Sequence, residues 1–306
     1  MYDLIIIGAG PGGTAAAVYA ARKQLKTLLI TPDFGGQSVV SPDIQNWIGT
    51  PSIPGNELAK AFEAHIRAYA DSFITINTGE RVTGITKKDD EFSVATDKAS
   101  YTTRSILITS GSSRKKLDVP GAEQFENKGI SYCASCDGPV FAGQDVAVIG
   151  GGNAGFESAA QLLAYCTSVT LLNRSDTFKA DAITVQKVSA HPNMKVITGA
   201  RITGVTGDAF VSGLTYEDQS GEHTLPVTGI FVEIGMLPNT DFAKELLALD
   251  EYGRIEIDPW TNATNIPGIW AAGDCTNVRY HQNNIAAGDA VRALEDLYLH
   301  LKARAH

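Results

Sequence analysis

Residues 4–13 read Leu-Ile-Ile-Ile-Gly-Ala-Gly-Pro-Gly-Gly, and residues 146–155 read Val-Ala-Val-Ile-Gly-Gly-Gly-Asn-Ala-Gly. In both, a short apolar, β-branched run enters a glycine cluster, and an Ala-rich stretch with helical spacing follows. The spacing predicts helices over Thr14–Lys23 and Phe156–Tyr165, then second strands over Thr27–Ile30 and Val169–Leu172. A strand–turn–helix–strand unit made twice predicts an α/β protein of two Rossmann-like, doubly wound, three-layer lobes.

Working outward, Ser105–Ile108 has the composition of a buried strand, and Gly111-Ser112-Ser113 of an exit from the first lobe. Gly235-Met236-Leu237-Pro238-Asn239 supplies turn chemistry for the return. Beyond it, Arg254–Ile257 and Gly268–Ala272 read as short strands, and Ile285–Leu301 as a closing helix. The expected organisation is a second lobe inserted into the first: residues 1–112 with 246–306, and residues 113–245. A chain of 306 residues, at roughly 150 per domain, has room for both.

Composition bounds the function. A hydrophobic share of 43% and a charged share of 19% suit ordinary globular cores. The net charge of −9, with no Lys/Arg cluster, argues against a nucleic-acid backbone as partner. Four cysteines are too few for a secreted disulfide scaffold. The first residues lack a basic leader, and no apolar stretch is long enough to cross a bilayer. The expected compartment is the reducing cytoplasm.

Gly8-x-Gly10-x-x-Gly13 and Gly150-x-Gly152-x-x-Gly155 each have the strand and helix that such a pattern needs. Glycines there let the chain turn tightly and bring backbone N–H groups against a pyrophosphate at a helix N-terminus. After the second motif, residues 173–179 read Asn-Arg-Ser-Asp-Thr-Phe-Lys, with no acid at the strand end to take a ribose hydroxyl. Arg174 reads equally as a phosphate partner or as a solvated surface residue.

Cys133-Ala134-Ser135-Cys136-Asp137-Gly138 carries the sharpest chemistry. As half a zinc site it lacks ligands, since Cys166 and Cys275 stand alone and no His is near in sequence. Two structural thiols are a second reading, and a dithiol/disulfide couple the third. Asp137 can exchange protons with the thiols or cap a helix. Cys166 is expected to be buried structure. Asp274, at a strand end, can accept a ribityl or ribose hydroxyl. His281 and Gln282 precede the last helix, whose dipole would favour negative charge on a reduced flavin, although His281 alone reads as solvated or capping. A nicotinamide delivers hydride whereas a disulfide is opened at sulfur, and a flavin joins the two. Two dinucleotide turns and one dithiol are thus a chemically complete set.

These motifs, with Gly-Gly-Gln at 35–37, Ile-Gly-Gly-Gly-Asn at 149–153 and Ala-Ala-Gly-Asp at 271–274, resemble low-molecular-weight thioredoxin reductases over essentially the whole chain. The chain is also similar to the reductase portion of the alkyl hydroperoxide reductase flavoprotein subunit. Lys179-Ala180-Asp181, residues 229–235 and Gly273-Asp274-Cys275-Thr276 lean that way. The thioredoxin-like N-terminal domains of that flavoprotein are not expected, because the sequence opens on the first glycine motif.

The resemblance implies FAD on Gly8, Gly10, Gly13, Thr31, Gly35, Gly36, Gln37, Asn46, Val82, Gly111, Gly273, Asp274, His281 and Gln282. It implies NADH or NADPH on Gly150, Gly152, Asn153, Gly155, Arg174 and Lys179. It makes Cys136 the flavin-facing thiol, Cys133 the attacker of a thioredoxin- or glutaredoxin-like partner, and Asp137 the acid/base. It further implies a homodimer, and rotation of the inserted lobe about crossings near 111–115 and 240–246.

NADPH-using members carry His-Arg-Arg-Asp-x-Phe-Arg where this chain has Asn173, Arg174, Ser175, Asp176, Phe178 and Lys179. Exchange of a bidentate Arg for Lys weakens phosphate recognition, which leans the expectation slightly to NADH. His281 stands where those members have Arg. Three competing readings remain: electrons from ferredoxin or another donor, delivery to a peroxiredoxin system, and a non-catalytic redox sensor.

Overall fold

The computed structural model describes residues 1–41, 44–70 and 72–303. The chain divides into two compact units. One comprises Met1–Val40, Asn46–Ser113 and the chain from Leu237 onward; the other comprises Arg114–Met236 with Ser41–Gln45.

The first unit is built on a five-stranded parallel sheet. Its order is Ile269–Ala271, Ile106–Ile108, Leu4–Ala9, Thr27–Phe34, Ile74–Thr78. The run Leu4–Ile7 is buried on both faces, which is why it reads as continuously apolar rather than alternating. Its side chains still divide with the pleat. Leu4 and Ile6 enter a core with Ala16, Ala17, Ala20 and Ala21 of the first helix and Ala290, Leu294 and Leu297 of the last. Ile5 and Ile7 enter the opposite core with Phe92, Val94 and Ile255. Each such burial contributes roughly 1.5–3 kcal/mol. The small alanine faces bring the helices close: a Cβ on Gly12 would lie 3.1 Å from the Ala286 carbonyl oxygen.

The second unit repeats the plan. Its parallel order is Met194–Ile197, Ser168–Leu172, Asp145–Ile149, Gly229–Val232, Ile130–Ser131. Ala147 and Ile149 face one core; Val146 and Val148 face the other, with Phe156, Ala159 and Leu162. Each unit also carries a three-stranded antiparallel sheet, 82–103 in the first and 201–225 in the second.

Both helices begin nearer the glycines than expected, at Pro11 and Asn153. Pro at the first helical position is already shaped for the helix and loses no useful N–H there. The closing helix is longer than expected, Asn283–Ala303. Arg254–Ile257 is not a strand: Ile255 makes only isolated bridges, to Leu249 and Thr276. Side chains hold the flanking backbone in turns, Asp250 accepting from Tyr252 and Arg254, and Asp258 from Trp260 and Thr261. The return crossing lies at Met236–Pro238, paired with Ser112–Arg114 as a two-stranded ribbon, rather than near 240–246. Ala243 and Leu247 are buried in the first unit's core, which draws residues from Leu237 onward into that unit.

Candidate active site

In the first unit, Gly8 has φ +102°, and a Cβ there would lie 2.5 Å from the Thr109 carbonyl oxygen. A Cβ on Gly13 would strike the Gly8 carbonyl oxygen at 1.8 Å, so both positions need glycine for helix and strand to meet. Gly10 borders the next glycine pair, with Gly35 O and Gly36 Cα 3.9 Å from where its Cβ would stand. The Gly35 N–H donates to Ala9 O at 2.9 Å. The helix that starts here has no side-chain cap and no acid in its first turn. Thr14, in that turn, has a buried hydroxyl that finds no hydrogen-bond partner among the described residues. An uncapped N-terminus floored by glycines fits the pyrophosphate of a dinucleotide.

Other candidates gather at the carboxyl edge of the same sheet. Gly273 (φ +76°) and Asp274 follow the Ile269–Ala271 strand. The Asn46 side-chain amide donates to Gln282 Oε1 at 3.1 Å, and Asn284 Nδ2 donates to Asn46 O at 2.7 Å. The Ser38 hydroxyl reaches Asn283 Oδ1 at 3.2 Å, so the approach to the last helix is laced to the segment after Gly36. His281 stands two residues before that helix begins, and its ring Nε2 is 3.1 Å from Val278 O. Thr31 spends its hydroxyl on the Asp33 carbonyl, Val82 is buried at a strand start, Gln37 is exposed, and Gly111 has φ +65°.

In the second unit, Gly150 has φ +126° and Gly155 stands where a Cβ would meet the Gly150 carbonyl oxygen at 1.9 Å. Space above Gly152 is open. Asn153 Oδ1 accepts from the Asp181 N–H at 2.8 Å, and the Lys179 N–H donates to Gly151 O at 3.0 Å. The buried Asn173 turns inward: its Nδ2 donates to the carbonyls of Ser175 and Thr177 at 2.7 and 3.0 Å. Arg174 is left exposed on the loop so formed.

The dithiol occupies the other end of the same helix. Cys133 and Cys136 are joined in a disulfide, with Cα atoms 5.3 Å apart across the short helix Ala134–Asp137. Ser135 Oγ donates to Gln161 Oε1 at 2.7 Å, near the helix C-terminus. Asn153 to Gln161 is eight residues, or about 12 Å of helix at 1.5 Å per residue. Asp137 precedes a 3₁₀ turn but makes no cap bond. Its Oδ2 instead accepts from the Ser131 hydroxyl at 2.5 Å, and Ser41 Oγ is 3.5 Å from Oδ1.

Two uncapped glycine turns and a closed Cys-x-x-Cys pair in one chain agree with the comparison to known families. The family described as pyridine nucleotide-disulphide oxidoreductase matches residues 2–290. The chain belongs to that family. This pyridine nucleotide-disulphide oxidoreductase is 39% identical over 307 residues to the alkyl hydroperoxide reductase F protein of Xanthomonas campestris pv. phaseoli, covering 98% of this chain. It is 37% identical to a protein named NADH dehydrogenase from Ferdinandcohnia aciditolerans, covering 95% of this chain. It spans only 57% and 56% of those two proteins' own lengths. Thioredoxin reductase from Streptococcus pyogenes aligns with a TM-score of 0.90 at 33% identity, covering 99% of both chains. Membership implies FAD and a nicotinamide nucleotide as cofactors.

The other two cysteines of this oxidoreductase are set apart from the pair. Cys166 and Cys275 are free and buried, and burial pushes each thiol up to about 11. Sequence reasoning missed Ser38, Ser131, Asn283 and Asn284, whose bonds reach distant or ordinary-looking partners. It also missed Glu233, partly buried just past the Gly229–Val232 strand. Ser158 donates to its Oε1 at 2.7 Å, and an Arg114 nitrogen lies 3.5 Å from Oε2. Burial raises that carboxyl, against the pull of Arg114.

Proposed function

We propose that the chain carries electrons from NADH or NADPH, through FAD, to the Cys133–Cys136 pair, and reduces a disulfide in a thioredoxin- or glutaredoxin-like protein. The observation that carries this is the disulfide itself, set beside Asp137 and about 12 Å of helix away from a nucleotide-type glycine turn. Two sites at opposite ends of one helix suit a reaction in two stages.

The residues fitting FAD are Gly8, Gly10, Gly13, the Gly35–Gly36 pair, Asp274, and the Asn46–Gln282 bridge. Gly150, Gly152, Gly155, Asn153, Arg174 and Lys179 fit the nicotinamide nucleotide. When bound, FAD supplies a carrier between two-electron hydride chemistry and thiol chemistry. Two electrons and two protons open Cys133–Cys136 to the dithiol. The Cys133 thiolate then attacks the partner disulfide, forming a mixed disulfide and expelling one partner thiolate. Cys136 attacks the Cys133 sulfur, releases the second partner thiolate and restores the internal bond. Asp137 takes and returns the protons at sulfur.

NADH is the preferred donor in this reading. Asn173 turns its amide to Ser175 and Thr177, Arg174 is a lone exposed guanidinium, and Lys179 offers a point charge rather than a fork. The relative named NADH dehydrogenase is consistent with it. Initial rates with both nucleotides and oxidised thioredoxin test the donor and the acceptor together. Turnover with NADH that disappears in Cys133→Ser is expected. A strong NADPH preference lost in Arg174→Ala would overturn the donor assignment, and turnover persisting in Cys133→Ser the mechanism.

A second reading follows from the likeness to the alkyl hydroperoxide reductase protein: the dithiol passes its electrons to a hydroperoxide-reducing system. NADH consumption driven by a peroxiredoxin and hydroperoxide, but not by thioredoxin, would select it.

A further inference from the structure

We propose that Ser131 is a positioning residue for the dithiol chemistry, binding the Asp137 carboxylate and the Cys133 backbone into one hydrogen-bonded unit. The proposal rests on the disulfide-reductase reading and deepens it. Ser131 closes the edge strand Ile130–Ser131, where it is paired with Phe231 and 5% exposed. The sheet therefore holds its Cα in place. Its hydroxyl accepts the Cys133 N–H at 3.1 Å and lies 2.5 Å from Asp137 Oδ2.

A serine hydroxyl has one proton and two acceptor lone pairs. With a backbone N–H on the acceptor side, the single proton goes to the carboxylate. While Asp137 is ionised Oδ2 is thereby held as an acceptor, which leaves Oδ1 as the oxygen open to take the titrating proton. When the disulfide opens, that proton moves from Oδ1 to the leaving thiolate sulfur, giving a neutral thiol and an aspartate. On re-oxidation it returns from the thiol to Oδ1. Ser131 thus chooses the oxygen that does proton transfer, and ties the carboxylate to the first residue of the redox turn. It touches no reacting atom itself.

The test compares wild type, Ser131→Ala and Ser131→Thr, each loaded with FAD and matched for flavin content and circular dichroism. One readout is opening of Cys133–Cys136 by dithiothreitol, whose two thiols close to a cyclic disulfide as both cysteines gain an electron and a proton. The second is steady-state turnover with NADH and oxidised thioredoxin. Ser131→Ala should slow both by about tenfold, with the thioredoxin KM within twofold of wild type, the scale expected for one hydrogen bond to a charged group. Ser131→Thr keeps the hydroxyl and should recover to within about threefold. Wild-type rates in Ser131→Ala, or equal losses in both variants, overturn the proposal. If wild type reduces no thioredoxin, the disulfide-reductase reading fails separately, while the dithiothreitol rates still decide the role of Ser131.

Discussion

The side-chain amide of Asn46 donates to Oε1 of Gln282 at 3.1 Å, across 236 residues of chain. With Asn284 holding the Asn46 carbonyl, this bond joins the loop after the Gly35–Gly36 pair to the approach of the closing helix. Gln282→Ala should therefore loosen that junction. A neutral hydrogen bond contributes about 1 kcal/mol, so FAD affinity is expected to fall roughly fivefold, with Gln282→Glu, which keeps the acceptor oxygen, closer to wild type. Flavin fluorescence titration of apoprotein measures it. Unchanged affinity in Gln282→Ala would detach the bridge from flavin binding.

Gly150 combines φ +126° with a carbonyl oxygen 2.2 Å from where a Cβ would stand. Gly150→Ala is expected to destabilise the second unit by more than about 2 kcal/mol, from strain and overlap together. FAD content should stay near wild type while NADH no longer reduces the flavin. Normal NADH-driven bleaching in this variant would show that the turn tolerates a side chain.

After reduction, alkylation of the native protein near pH 8 should add two labels, at Cys133 and Cys136. Cys166 and Cys275 stay protonated there, because burial holds their thiols up to about 11. Peptide mass mapping reads the sites, and rapid labelling of all four cysteines without denaturant would contradict the burial.

The same two thiols predict an alkaline stability profile. Their folded pKa values lie above the ordinary value of 9.0, so the folded state holds protons that the unfolded chain has already released. Their contribution is constant below about pH 9 and is lost as pH rises toward 11, by up to about 1.4 kcal/mol per pH unit for each thiol. Urea melts between pH 8 and 11 check it; Cys275→Ala should flatten the slope.

Assignment of Cys133 as attacker and Cys136 as resolver makes the single variants unequal. Cys136→Ser should trap a mixed disulfide with a partner whose single remaining cysteine is activated as its thionitrobenzoate disulfide, because the Cys133 thiolate attacks the partner sulfur and expels thionitrobenzoate; the product is visible on a non-reducing gel. Cys133→Ser should trap none. The reverse pattern would exchange the two roles.

Much of this was legible in local sequence because the constraints act over a few residues. Gly8 and Gly150 are dictated by backbone conformation, and Cys133 and Cys136 by the reach of one helical turn. Arg254–Ile257 misled because a short apolar run has strand composition, whereas Asp250 and Asp258 on either side bend the backbone into turns. The first helix start was misplaced because glycine beside proline reads as punctuation, although Pro11 is well suited to a first helical position, and the second because Asn153 and Gly155 read as turn residues.

The amino-acid order alone committed this chain to two α/β units and a Cys-x-x-Cys pair, since continuous apolar strand runs, left-handed glycines and thiol spacing are written within single elements. It could not bring Gln282 to Asn46, aim Ser131 at Asp137, or carry Leu247 into the first core. Each of those depends on which side chains meet once the sheets have formed, and a hydrogen bond between residues remote along the chain leaves no local periodicity to read.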